Sequence, residues 1–254
     1  MAAPGRAVCL VIVGGVLGSV APALAQSTII HTRKPPSEIW SPLHPLTIGA
    51  SVEFETEHPT TEIEVPVNVD YNLSRYFLVH LEPQFGYIDT DKSDIGGLGD
   101  TETSVEYEFL HERRYTPSLT SQAGIRWPTA SHAALGEPGI DYFLGLDLNK
   151  DLVYFELDSN LVFTFASSYQ VQNSFEASLA VEVPLTHHFD LLAEVVRTMD
   201  AGPVKENGSA DLTEGTLGWA WHPSAFTTLE QGFTVRSDGT WQLIIGWQYS
   251  FGGD

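Results

Sequence analysis

The chain of 254 residues has a single cysteine, Cys9, and only two methionines. One thiol cannot form an intrachain disulfide, and a Cys-based metal site is out of reach. Basic residues are scarce as well: 12 Lys and Arg stand against 33 Asp and Glu, a formal net charge of −21. So acidic a chain repels phosphate backbones, which excludes nucleic acid as a partner. Long apolar runs are also missing. Beyond the first 25 residues no segment reaches the ~18 uncharged apolar residues that mark a membrane helix. Disorder, the usual companion of high net charge, is excluded in turn, because 43% of the residues are hydrophobic and 11% aromatic.

The N-terminus must be set aside before the fold is considered. Arg6 is the only charge in residues 1–25; an apolar run from Ala7 to Val20 follows it, and Ala23-Leu24-Ala25 precedes Gln26. A basic start, a short apolar middle and a small-x-small end describe a secretory signal peptide. The run is short for a bilayer-spanning helix, which needs ~20 apolar residues. Cleavage after Ala25 removes Cys9 and Arg6 and leaves 11 basic against 33 acidic residues. Cys9 is not a lipid-attachment cysteine, since that residue directly follows the cleavage site. Residues 26–45, with Pro35, Pro36, Pro42 and Pro45, read as an irregular leader. Export narrows the rest, residues 46–254, to a soluble periplasmic protein or an outer-membrane barrel.

From Leu46 to Phe251 the sequence alternates with the period of two expected of β-strands. Twelve segments show it: 46–55, 61–71, 76–87, 100–110, 119–127, 139–149, 153–165, 174–184, 189–198, 212–222, 226–236 and 240–251. Most are long enough for a tilted strand to cross a bilayer, which takes ~9–11 residues. Strands of soluble sandwiches are commonly ~5–6 residues. In the last segment Trp241, Leu243, Ile245, Trp247, Tyr249 and Phe251 share one face, and Gln242, Gly246, Gln248 and Ser250 the other. In a membrane barrel the apolar face meets lipid and the polar face lines the lumen.

The connections support the barrel. With the first strand running outward, the turns expected at the periplasm are short: Asn72 to Arg75, Lys150 to Leu152, Thr186 to His188. The outer ones are longer, at 88–99, 128–138 and 199–211, with 236–240 a short exception. That asymmetry is the habit of even-stranded outer-membrane barrels. Trp127, Trp219, Trp221, Trp241, Trp247 and Tyr249 fit interfacial girdles. Gly246, Tyr249 and Phe251 have the spacing of the C-terminal strand signal read by the outer-membrane insertion machinery. The match is partial: Ile244 stands where that signal has a polar residue, and Gly252-Gly253-Asp254 follow the aromatic end. The predicted class is all-β, a twelve-stranded antiparallel barrel in the outer membrane of a Gram-negative bacterium.

Several stretches resemble a known family, the outer-membrane proteins of the meta-pathway of phenol degradation. They are Gly97-Leu98-Gly99-Asp100 leading into Val105-Glu106-Tyr107-Glu108-Phe109, the run Ala123 to Thr129, the run Gly145 to Leu152, Ala193-Glu194, and Gly246 to Phe251. The resemblance spans roughly Leu46 to the end. It implies a transporter-like barrel and uptake of hydrophobic or aromatic small molecules, and it carries no functional residues over.

The lumen face is acidic: Glu53, Glu55, Glu62, Glu64, Asp70, Glu82, Glu102, Glu106, Glu108, Asp141, Asp147, Glu156, Asp158, Glu176, Glu182, Glu194, Glu214 and Glu230. Arg126, Arg236 and Arg197 are the basic residues expected there, all near outer strand ends. Counting back across the turn places Arg126 beside Glu106. Asp147 and Glu156 are expected to face each other across residues 150–152. Such groups form either a polar constriction that sets ion preference or a salt-bridged filling of a narrow barrel. Facing carboxylates share a proton, attract a cation or act as an acid/base pair. Arg33 and Lys34 suggest a basic arm able to enter the acidic lumen, against the alternative of a free periplasmic tail.

No cofactor or resident metal is expected. Asp89, Asp91, Ser93 and Asp100 have some calcium-loop spacing, but Asp94 stands where the loop needs glycine. His187 and His188, adjacent in extended chain, point apart and suit no shared metal. Three functions stay open. The first is passage of a small-molecule solute through a lipid-embedded channel. The second is an outer-membrane enzyme acting on lipid, for which His80 is the one mid-strand histidine and no paired serine is evident. The third is a structural barrel with a filled lumen.

Overall fold

A computed structural model describes residues 46–57, 60–90, 93–167, 173–200 and 211–252. The signal peptide, the leader with Arg33 and Lys34, and Asp91 lie outside the described residues. The described residues contain no helix. They form twelve strands: β1 (Leu46–Glu57), β2 (Thr60–Ser74), β3 (Phe77–Thr90), β4 (Ser93–Leu110), β5 (Ser118–Trp127), β6 (Asp141–Asp151), β7 (Glu156–Ala166), β8 (Ser174–Thr186), β9 (Phe189–Asp200), β10 (Leu212–Ser224), β11 (Thr227–Arg236) and β12 (Trp241–Phe251). Each pairs with its sequence neighbours, and β1 closes on β12 from Leu46↔Phe251 to Thr56↔Trp241. Closure leaves no sheet edge, so every strand has a ladder on both sides. The rim holding the start of β1 and the end of β12 is the terminal rim; the opposite one is the distal rim.

The burial pattern is that of a soluble protein turned inside out. Leu144, Val195, Leu217, Ile245 and Trp247 are exposed on the outer face. Glu53, Glu108, Asp141, Thr216 and Gln242 are buried on the inner one. So much apolar surface has no favourable neighbour in water, and lipid supplies one. Trp127, Trp221, Trp241 and Trp247 belong to this outer face, as expected of girdle residues.

One expected loop is not a loop. Residues 88–99 are the distal parts of β3 and β4, paired from Ile88↔Ile95 to Phe85↔Leu98, and the connection proper is 91–92. Glycines 96, 97 and 99 read as loop residues on propensity. Here they give close approach for other groups: Gly96 is covered by the Tyr87 ring, and Gly86, Gly97 and Gly99 lie under Leu135. At 18 residues β4 is far longer than a crossing requires, so the β3–β4 hairpin rises beyond the distal side.

The β6–β7 turn also differs. β6 continues to Asp151, and the connection is 152–155, with Val153 at φ 62°. A β-branched residue in the left-handed region is strained by about 1–3 kcal/mol. Asp151 Oδ1 accepts the Val153 N–H at 3.0 Å, which helps to hold the turn.

Candidate functional site

Alternation carries all eighteen acids expected on the lumen face to that side of the wall, and the register decides which of them meet. At the distal end of one wall, Arg236 Nη1 lies 2.5 Å from Glu55 Oε2 and its Nε 3.1 Å from Glu214 Oε1. Beside it, β1 and β2 set Glu53 opposite Glu64 and Glu55 opposite Glu62. Glu53 accepts hydrogen bonds from Gln242 Nε2 at 2.8 Å and Ser51 Oγ at 3.3 Å. Five carboxylates therefore gather near one guanidinium, which is paired with Glu55 and Glu214, and like charges this close repel unless protons or mobile cations enter.

A second cluster stands on the far wall. Arg126 pairs in register with Glu102 and with Asp141, and its Nη2 is 3.7 Å from Glu102 Oε2. The expected partner Glu106 instead stands opposite Gln122. The β4–β5 connection spans seven residues, 111–117, and a bulge between Glu108 and Leu110 shifts the count. Arg197 is corrected too: it lies on the outer face with Leu191 and Val195, 2.7 Å from Asp211.

The distal connection 128–140 folds inward against this second cluster. Asp100 holds it: Oδ1 accepts the Ala130 N–H at 3.2 Å and Oδ2 the Glu137 N–H at 2.8 Å. Ser131 donates from both its N–H and Oγ to the Leu98 carbonyl, at 2.8 and 3.2 Å. Leu135 sits over the glycines of β3 and β4, its Cδ2 at 3.0 Å from where a Gly86 Cβ would stand. Asp100 is thus an anchor for this loop. Glu137 hydrogen-bonds Asp141 and lies near Asp100; burial and these acids push its carboxyl up to about 7. Sequence reasoning missed the role of Asp100 and Leu135, because nothing local indicates that a loop turns into the barrel.

Further along the lumen, His80 Nδ1 is 2.5 Å from Asp70 Oδ1 and Nε2 is 3.5 Å from Glu82 Oε2. Ser104 stands opposite His80 in register, unseen from sequence, and its Oγ accepts a hydrogen bond from Gln122 at 3.3 Å. The histidine is held between two carboxylates and its Nε2 turns to Glu82.

Toward the terminal rim, Asp147 faces Asn160 rather than Glu156. Glu156 instead stands opposite Asp151 and Glu182, because the turn lies later than expected. Asn149 Nδ2 donates to Glu156 and, at 3.5 Å, to Asp158. Glu194 pairs with Ala180 on β8 and Thr216 on β10. Asp190, not singled out from sequence, binds His222 Nε2 at 2.6 Å.

The class defined by this fold is the closed, twelve-stranded outer-membrane β-barrel. A solved outer-membrane channel and solved porins superpose on the chain. The COG4313 outer membrane channel from Pseudomonas putida F1 is 13% identical, covers 83% of this chain and 96% of its own, and has a TM-score of 0.70. The NanC porin is 10% identical over 80% of this chain and 98% of its own, with a TM-score of 0.59. The KdgM porin in complex with disordered oligogalacturonate is 9% identical over 80% and 99%, with a TM-score of 0.57. At these identities the likeness is one of fold. No family model and no curated protein matches the chain.

Proposed function

We propose that the protein is a narrow outer-membrane channel for small molecules that favours cationic and neutral solutes over anions. The observation that carries this reading is the lumen wall itself: a closed barrel, apolar outside, whose inner face holds paired carboxylates at Glu53–Glu64, Glu55–Glu62 and Glu156–Glu182. Among the described residues Arg126 and Arg236 offset them on the lumen face, with His80 and His222 each held against a carboxylate. Rings of one charge sign set ion preference in a confined, low-dielectric passage. The inward loop 128–140 narrows the distal mouth, so the accepted solutes are small.

The solved channels of like fold support passage as the role. The resemblance to the phenol-degradation family adds hydrophobic or aromatic molecules to the candidate solutes. Leu78, Phe143, Leu192 and Ile244 do face inward, but they are buried. Glu55, Glu62, Glu64, Glu156 and Glu182 are less buried than these, so an entering solute meets those carboxylates first, which favours polar cargo. Against a hydrolase, His80 directs Nε2 to Glu82 and makes no hydrogen bond with Ser104. The aromatic-ended β12 fits recognition by the insertion machinery, and the signal peptide fits the export route to the outer membrane.

Liposome swelling tests the proposal. Proteoliposomes should swell with small neutral and cationic solutes and more slowly with anions of equal size. Rates equal to protein-free liposomes for every solute would refute it.

A further inference from the structure

The turns of the terminal rim carry a charge pattern that the acidic lumen does not explain. Arg75 follows the outward-facing Tyr71 and Leu73 at the end of β2, and its guanidinium carbon lies 4.4 Å from the Tyr76 ring centroid. Arg113 and Arg114 are exposed on the connection 111–117, Arg114 at 5.1 Å from the ring of Tyr115, itself 84% exposed. Lys150 stands at the end of β6 on the lipid-facing side, in line with Leu144 and Leu146.

Four of the chain's 12 basic residues thus lie on three successive turns of one arc. Among the described residues the acid outside the lumen on this arc is Glu112. Glu112 is bound to Lys150 and also accepts the Asp151 N–H at 3.1 Å. Lys150 Nζ donates to the Arg113 carbonyl at 3.1 Å, so the two turns form one unit. The remaining turns at this rim, 187–188 and 225–226, hold no Lys or Arg.

A basic patch beside exposed Tyr115, Val153 and Tyr154, placed where the lipid-facing band ends, has the chemistry of a lipid headgroup site. The aromatic rings suit the interface and the guanidinium forks suit phosphate oxygens. Juxtamembrane basic clusters recognise anionic lipid in this way. In a chain of net charge −21, no other lipid-facing region of the described residues has such an excess. We infer that Arg75, Arg113 and Arg114, with Tyr115, bind the phosphate headgroups of anionic phospholipids in the leaflet facing the periplasm. The inference rests on the membrane placement proposed above but is independent of conductance.

The test uses the mature protein in nanodiscs of equal parts phosphatidylglycerol and phosphatidylcholine, with retained lipid counted by native mass spectrometry. Wild type should retain phosphatidylglycerol several-fold over phosphatidylcholine. The Arg75→Gln/Arg113→Gln/Arg114→Gln variant should lose the preference, and the corresponding lysine variant should keep most of it. Arg197→Gln, at the distal end of the outer face, should change nothing. A heat-shifted gel band confirms that each variant is a folded barrel. No preference in wild type, or an unchanged preference in the glutamine variant, overturns the inference. Failure to enter nanodiscs at all would instead refute the membrane placement, and this inference with it. Retention of a periplasmic protein with no lipid preference would count against the lipid and for a protein partner.

Discussion

Arg126 and Arg236 stand half-way round the barrel from each other, on β5 and β11 of a ring of twelve, and each is tied to carboxylates at the distal end of the lumen. The two are not equivalent. Arg236 is buried between Glu55 and Glu214, at 2.5 and 3.1 Å, whereas Arg126 holds Glu102 more loosely at 3.7 Å. Removing one member of a buried pair leaves an uncompensated charge. Arg236→Gln should lower stability in urea titration by roughly 2–4 kcal/mol. Arg126→Gln should cost less, and both should strengthen cation preference.

Asp100 holds the inward loop by accepting two backbone amides, from Ala130 and Glu137. Asp100→Ala leaves both donors without that acceptor. The loop should then leave the lumen, and single-channel conductance should rise while the barrel stays folded. Leu135→Ser should act in the same direction by weakening the contact with the β3–β4 glycines.

Glu137 makes that latch sensitive to pH. Its carboxyl is pushed up to about 7 in the latched loop, against an ordinary value of 4.5. The latched state therefore binds a proton more tightly than the released one. Its extra stability is fully present below about pH 4.5 and is lost as pH rises through about 7. Open-channel current should be smaller at pH 5 than at pH 8. Glu137→Gln should flatten that step, which a conductance titration would show.

The sequence was most informative where one physical pattern governs many residues. Period two placed the lumen acids and the lipid-facing aromatics correctly, because each side of the wall has a different solvent. It was least informative at turns, where one residue of slippage changes every partner. The seven-residue connection before β5 moved Arg126 from Glu106 to Glu102, and the late β6–β7 turn moved Asp147 from Glu156 to Asn160. The β3–β4 hairpin reads as a loop from its glycines, which take strand geometry under the cover of Tyr87 and Leu135. Such long-range cover leaves no local trace.

Gly124 is a second such place. The Phe143 ring lies across it in the lumen, in the space a Cβ would need. Gly124→Val should displace the ring and destabilise the barrel by about 1–3 kcal/mol, measured by denaturant unfolding. At Val153 the opposite is expected. With φ at 62°, Val153→Gly relieves backbone strain and should raise stability by about 1 kcal/mol.

The central claim is the passage of small cationic and neutral solutes through an acidic lumen. Its most direct test is the reversal potential of single channels in a planar bilayer under a potassium chloride gradient. Small unitary currents that reverse toward the potassium equilibrium potential are predicted. No current across many insertions, or reversal toward the chloride potential, would contradict the account.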